Sequence, residues 1–225
     1  PWNRVMVIET LADIGLIPFS VLLINPADTN VQGYHAIGSK IPHLGLQVLA
    51  QRTPPQYQLD IIDEIFGPDR TIPAIQSGKY DLIGMTAYTC GVTRAYELAH
   101  LCRQAKIPTI LGGPHAWACP DEAAGHFDSV AVGECDEVWP QILHDAAAGK
   151  LQRRYMGGFP ELTAGLGRAA QHVQPINGTY DVATIQTSRG CPIGCDFCSV
   201  TRFNGEQIRR RNIDQIVEEW NATPQ

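Results

Sequence analysis

The chain has 225 residues, 44% hydrophobic and 18% charged, which is enough for one sizeable domain plus part of another. A formal net charge of −6 and a pI near 5.6 give no electrostatic footprint for nucleic acid or anionic lipid, apart from a local run at Arg209, Arg210 and Arg211. Val5 to Phe19 is apolar but interrupted by Glu9 and Asp13, and no small-residue cleavage pattern follows it, so neither a signal peptide nor a membrane span is expected and a cytoplasmic location is.

Ser20-Val21-Leu22-Leu23-Ile24 is a short continuous apolar run closed by Asn25-Pro26, the pattern of a strand buried on both faces of a parallel sheet. After a polar loop containing Gly33 and Gly38, Leu44 to Ala50 has helical composition, with Pro42 placed to start it. Tyr57 to Ile62 reads as a second strand that closes at Asp63-Glu64, and Asp81 to Thr86 as a third. A helix over Thr93 to Ala105 follows, then a strand over Ile107 to Leu111 ahead of Gly112-Gly113-Pro114. Ser129 to Val132 is a further strand, and Glu134 opens a helix running to about Ala147.

This alternation predicts an α/β fold, a doubly wound Rossmann-like parallel sheet, in which ligands sit beyond the carboxyl ends of the strands. That rule places Asn25, Thr86, Tyr88, Thr89, Gly112, Gly113, His115, Gly133 and Glu134 along one edge as candidate cofactor-binding residues. Gly112 and Gly113 let backbone approach a bulky ligand, and the Thr86 hydroxyl is placed to hydrogen-bond it or to line its pocket. Gly149 to Tyr180 lacks periodicity and reads as a linker; Val182 to Thr187 is strand-like, and Ile213 to Trp220 reads as an amphipathic helix. The expected division is an extension over 1–19, the sheet domain over 20–148, a linker over 149–180 and a second domain over 181–225.

Seven cysteines are present, and three of them fall within eight residues, which points to metal ligation in a reducing compartment rather than to a disulfide framework. In Cys191-Pro192-Ile193-Gly194-Cys195-Asp196-Phe197-Cys198 the spacing suits one corner of an iron–sulfur cube, and three thiolates leave one iron open to bind and polarise a substrate. A structural zinc site takes four protein ligands, and no fourth Cys or His is close in sequence. Cys90, Cys102, Cys119 and Cys135 read as small hydrophobes or loop residues. The Asp60, Asp63 and Glu64 carboxylates suit either ligand hydroxyls or an exposed strand end, and the arginine run reads first as a solvated face.

The CxxxCxxC motif within Thr187-Ser188-Arg189-Gly190-Cys191-Pro192, with Phe197 before the last cysteine, resembles the signature of the radical S-adenosylmethionine superfamily. Leu23-Ile24-Asn25-Pro26, His43-Leu44-Gly45-Leu46, Leu82 to Thr86, Leu111-Gly112-Gly113-Pro114-His115 and Val132-Gly133-Glu134 occur in the order of the cobalamin-binding domain found upstream of many such enzymes. The resemblance implies a 4Fe-4S cluster on the catalytic thiolates Cys191, Cys195 and Cys198, S-adenosylmethionine chelated at the open iron with Phe197 against its adenine, and cobalamin on the sheet domain. It implies a methyltransferase acting on an unactivated carbon of a small-molecule substrate, through methylated cobalamin and a 5′-deoxyadenosyl radical, supplied with electrons by a flavodoxin or ferredoxin. Nucleic acid is not an expected partner.

One departure concerns cobalt. Cobalamin domains of methionine-synthase type carry DxHxxG with the histidine on the metal, and neither His35 nor His115 has that context. The enzymatic alternative is a methylthiotransferase-like protein with a second cluster on the other cysteines; the non-enzymatic one is a cobalamin-binding sensor or carrier. The cysteine segment is expected to be the first strand-helix unit of a partial TIM barrel, so the chain reads as a fragment with little activity alone.

Overall fold

A computed structural model describes residues 18–27, 40–162 and 173–222. Six strands, β1 (Ser20–Asn25), β2 (Gln58–Asp63), β3 (Leu82–Thr86), β4 (Thr109–Gly112), β5 (Ser129–Val132) and β6 (Arg154–Met156), form one sheet in the order β2-β1-β3-β4-β5-β6. Every neighbouring pair is parallel. The α/β doubly wound architecture expected from the alternation is therefore the one observed.

The apolar run of β1 is buried on both faces because helices cover both. Leu22 and Ile24 join Ile62, Ile83 and Met85 beneath α2 (Thr71–Gln76) and α3 (Val92–Gln104), together with Ile75, Leu98 and Phe127. Val21 and Leu23, pointing the other way, pack with Ile61, Leu82 and Ile110 against Leu46 of α1 (Leu44–Arg52) and Trp139, Ile142 and Leu143 of α6 (Trp139–Ala147). Each fully buried branched side chain of this kind contributes roughly 1.5–3 kcal/mol relative to exposure. Between β4 and β5 lie two short helices, α4 (Pro114–Ala118) and α5 (Pro120–His126), each with proline in its first turn. The chain leaves β1 for β2 on one side and returns to β3 on the other, so the sheet reverses its winding beside β1. That reversal opens a crevice at the carboxyl edge.

Three expectations are corrected. The helix expected from Glu134 starts at Trp139, because Gly133 takes φ 89° and Glu134 pairs its backbone with Gly158 instead. The stretch read as a linker supplies β6, whose Tyr155 is buried and donates its hydroxyl to Asp145 Oδ2 at 2.8 Å. Val182 to Thr187 is not a strand: extended residues need a ladder partner, and only Ser188–Arg189 (β7) finds one, pairing antiparallel with Arg209–Arg210 (β8) around α7 (Val200–Asn204). The helix expected after it is α8 (Ile213–Ala222).

Candidate functional site

At the carboxyl edge a cavity of about 300 Å³ descends between the sheet and the α1/α6 layer. Its inner part is apolar, formed by Leu23, Gly84, Ile110 and Ala131 with Trp139 and Ile142, whereas Thr86, Tyr88, Glu134, Asp136, Arg189 and Asn204 supply a polar rim. Gly84 forms part of the slot's wall: a Cβ there would lie 2.7 Å from Leu23 Cδ2 and 4.0 Å from Trp139 Cη2, so a larger residue would push these side chains toward the cavity. The Trp139 indole that faces it is fixed by its Nε1–H, which donates to Thr53 Oγ1 at 2.9 Å.

The paired glycines both line the cavity, but their surroundings differ. Gly113, at φ 87°, is needed for close packing within the protein, since a Cβ would meet Thr86 Oγ1 at 2.5 Å and the Ala87 nitrogen at 3.2 Å. At Gly112 the nearest atom is Ala131 Cβ at 4.0 Å, an ordinary contact. Gly84 stood in the sequence as one more residue of a strand; only its place opposite Leu23 and Trp139 reveals its role.

On the rim the sheet domain and the cysteine segment are joined by a buried ion network. Glu134 accepts from Arg189 at 2.8 Å, from Arg209 at 2.5 and 2.9 Å, and from Asn204 at 3.1 Å. Arg189 also reaches Asp136 at 2.7 Å and Gln186 at 2.8 Å, and Arg209 donates to the Pro160 and Asn204 carbonyls. Burial alone raises the Glu134 carboxyl, but the hydrogen bonds from Arg209, Arg189 and Asn204 outweigh it and hold the pKa below the ordinary value. Arg209 is shifted up, chiefly by its bond to Glu134. The arginine run is thus no solvated face: Arg209 and Arg211 are buried, the latter against Glu219, and only Arg210 is exposed.

Arg189 links the cavity rim to the cysteine loop, which begins two residues later. Between them Gly190 has φ 94°, and a Cβ there would lie 2.0 Å from the Gln207 carbonyl oxygen, so glycine is required for the loop to cross the β8 segment. Cys191 N–H donates to the Gly205 carbonyl at 3.0 Å, Thr201 Oγ1 to the Cys191 carbonyl at 3.1 Å, and Cys198 N–H to the Cys195 carbonyl at 3.0 Å. Cys195 is exposed and Cys191 and Cys198 are half-buried. Phe197 is 93% exposed and takes no part in the core.

Of the residues expected on the edge, Thr86, Tyr88, Gly112, Gly113, Gly133 and Glu134 line the cavity. Asn25 instead donates to Asp63 at 2.9 Å, and Thr89 and His115 face each other at 3.2 Å away from the cavity lining. His35 lies outside the described residues. His43, quoted in the sequence only as part of a motif, lines the cavity with its Nδ1 buried and without a hydrogen-bond partner, and burial lowers its pKa. The strand-end carboxylates are spent internally: Asp63 accepts from Asn25, Tyr180 and the Ile65 N–H, Glu64 from Arg94 and the Ala27 N–H, and Asp60 from Lys79 and Tyr80. Among the described residues no helix is long and apolar enough to cross a membrane.

Residues 34–143 match the B12 binding domain family. The chain is 36% identical over 175 residues to bacteriochlorophyllide d C-8(2)-methyltransferase of Chlorobaculum tepidum, covering 74% of this chain and 38% of that protein. It is 29% identical to the C-12(1)-methyltransferase of the same organism, over 80% of this chain and 40% of the relative. To the hopanoid C-2 methylase of Rhodopseudomonas palustris it is 26% identical, over 81% of this chain and 34% of the relative. The chain spans about two fifths of the length of the curated relatives it matches. The matched B12 binding domain lies on the six-stranded parallel sheet, and in this domain and its methyltransferase relatives the chain is similar to the cobalamin-binding-domain radical S-adenosylmethionine proteins.

Proposed function

We propose that this chain is the cofactor-binding front portion of a cobalamin-dependent radical S-adenosylmethionine methyltransferase that acts on an unactivated carbon of a small molecule. The observation that carries this reading is the sharing of Arg189 between two sites: it rims the Gly84 cavity and stands two residues before Cys191. A deep apolar slot suits the flat heterocyclic base of a cobalamin nucleotide tail, and a rim of hydroxyl, carboxylate, amide and guanidinium groups suits the amides around a corrin. Cys191, Cys195 and Cys198 are the three thiolates for a 4Fe-4S cluster with one open iron for S-adenosylmethionine.

When bound, the two cofactors supply a transferable methyl group and a hydrogen-abstracting radical. The chain's residues hold and align them. Gly84, Leu23 and Trp139 shape the slot and exclude water from it, Thr86 and Tyr88 face the ligand's polar edge, and Glu134 with Asp136 fixes Arg189 and hence the start of the cysteine loop. An electron donor of flavodoxin or ferredoxin type supplies the cluster. The relatives named for bacteriochlorophyllide support a bulky small molecule as the substrate.

Anaerobic reconstitution of the chain with iron, sulfide and hydroxocobalamin, followed by desalting and metal analysis, tests this. About four irons and one corrin per chain are expected, with iron falling to near zero on replacing Cys191, Cys195 and Cys198 by Ala while corrin stays. Loss of corrin together with about eight irons would replace this reading with the two-cluster methylthiotransferase.

A further inference from the structure

The corner between α4 and α5 gathers side chains that the reading above leaves without a role. A ring nitrogen of His115, Cys119 Sγ and a Glu122 carboxylate oxygen all lie within 4.8 Å of one another, and His115 Nε2 stands 3.8 Å from Glu122 Oε1. The backbone brings them together: His115 and Cys119 are one turn apart, with the Cys119 N–H on the His115 carbonyl at 2.8 Å, and Cys119 then turns the chain into α5, whose first turn carries Glu122. His115 is 1% exposed, Cys119 half-buried and Glu122 exposed, so the corner grades from a fixed imidazole to a carboxylate at the solvent. Thr89 Oγ1 at 3.2 Å from Nδ1 orients the ring and leaves Nε2 toward the other two donors.

We propose that this corner is a divalent-cation site of zinc type, with His115 Nε2, the Cys119 thiolate and the Glu122 carboxylate as ligands and a water in the fourth position. Bonds of 2.0–2.3 Å at tetrahedral angles set such donors about 3.3–3.7 Å apart, so the His115–Glu122 pair need close by only a few tenths of an ångström. The mixture of one nitrogen, one sulfur and one oxygen suits zinc better than magnesium or calcium, which take oxygen alone. Burial lowers the His115 pKa, the direction that favours the neutral imidazole a metal takes. The Tyr96 hydroxyl, now 2.9 Å from Nε2 and 3.0 Å from Oε1, keeps its bond to the carboxylate and gives up the one to the ring. Its own ring stays stacked on His126 at 3.7 Å. A bound ion would pin α4 to α5 directly after Gly112-Gly113-Pro114, which rims the cavity. The proposal does not depend on cobalamin.

The test uses the full chain with Cys191, Cys195 and Cys198 replaced by Ala, so that the cysteine loop cannot compete. Zinc is titrated against a chromophoric chelator, and cobalt(II) is added as a spectroscopic substitute. One equivalent is expected, with the intense visible bands of tetrahedral cobalt and a near-ultraviolet thiolate band that Cys119→Ser abolishes. Cys119→Ser and Glu122→Gln, each checked for an unchanged thermal melt, should weaken zinc by about tenfold or more. Binding well below one equivalent, a weak octahedral cobalt spectrum, or affinity unchanged in both variants overturns the proposal.

Discussion

Gly84 and Cys195 sit at the two physical extremes of this molecule. Gly84 lies in a strand whose five residues are all buried, between Leu23, Ile110 and Trp139, and the cavity it lines is shaped by the same side chains that make the core. Cys195 lies on an exposed loop held by a few backbone hydrogen bonds and by Gly190. The sheet edge is therefore preorganised by folding, whereas the cysteine loop is positioned chiefly through a polar tether, the Glu134–Arg189–Arg209 network, beside one ring contact between Trp117 and Phe203. A site on the first kind of support tolerates little change in volume, and one on the second tolerates little change in charge.

The largest expected effect comes from cutting the tether. Glu134→Gln keeps the shape but leaves the buried Arg209 without its carboxylate and Arg189 with Asp136 alone, which should cost about 3–5 kcal/mol. Hydrogen exchange should show the loss in residues 188–210 while β1, β3 and β4 stay protected. Equal deprotection of the whole sheet would mean that the two regions are not separable. Acid should do the same more gradually. Because the folded pKa of Glu134 lies below the unfolded value of about 4.3, its stabilisation is complete above that value and is lost as pH falls through the folded one. Denaturant melts from pH 7 to pH 3 should show this loss in the native chain and a shallower one in Glu134→Gln; identical slopes would remove Glu134 as the cause. The smallest effect is expected at Phe197. With its ring 93% exposed, Phe197→Ala should change stability by less than about 0.5 kcal/mol, and any consequence should appear only in S-adenosylmethionine binding to the reconstituted cluster.

The sheet was legible because its signal is local. Continuous apolar runs such as Val21 to Ile24, each closed by Asn, Gly or Pro, report strands buried on both faces, and their alternation with helices leaves few topologies. The edge rule then brought Thr86, Tyr88, Gly112, Gly113, Gly133 and Glu134 to one cavity. What escaped depends on partners far along the chain. Nothing near Arg209 indicates that a carboxylate 75 residues earlier awaits it, so a buried guanidinium looked like a solvated run. Asp63 looked exposed because Tyr180, which covers it, lies 117 residues away. Gly84 and Gly113 are each close-packed by a partner that the sequence does not indicate, Leu23 for the first and Thr86 for the second.

The slot itself is tested most directly by corrin binding to the sheet domain without the cluster. Equilibrium dialysis of hydroxocobalamin against the native chain and against Gly84→Leu, with far-ultraviolet circular dichroism to confirm that both are folded, isolates the cavity. Near one equivalent on the native chain, and at least about a tenfold weaker interaction in a folded Gly84→Leu, is the predicted result. Equal retention by both proteins would place the corrin elsewhere and contradict the account.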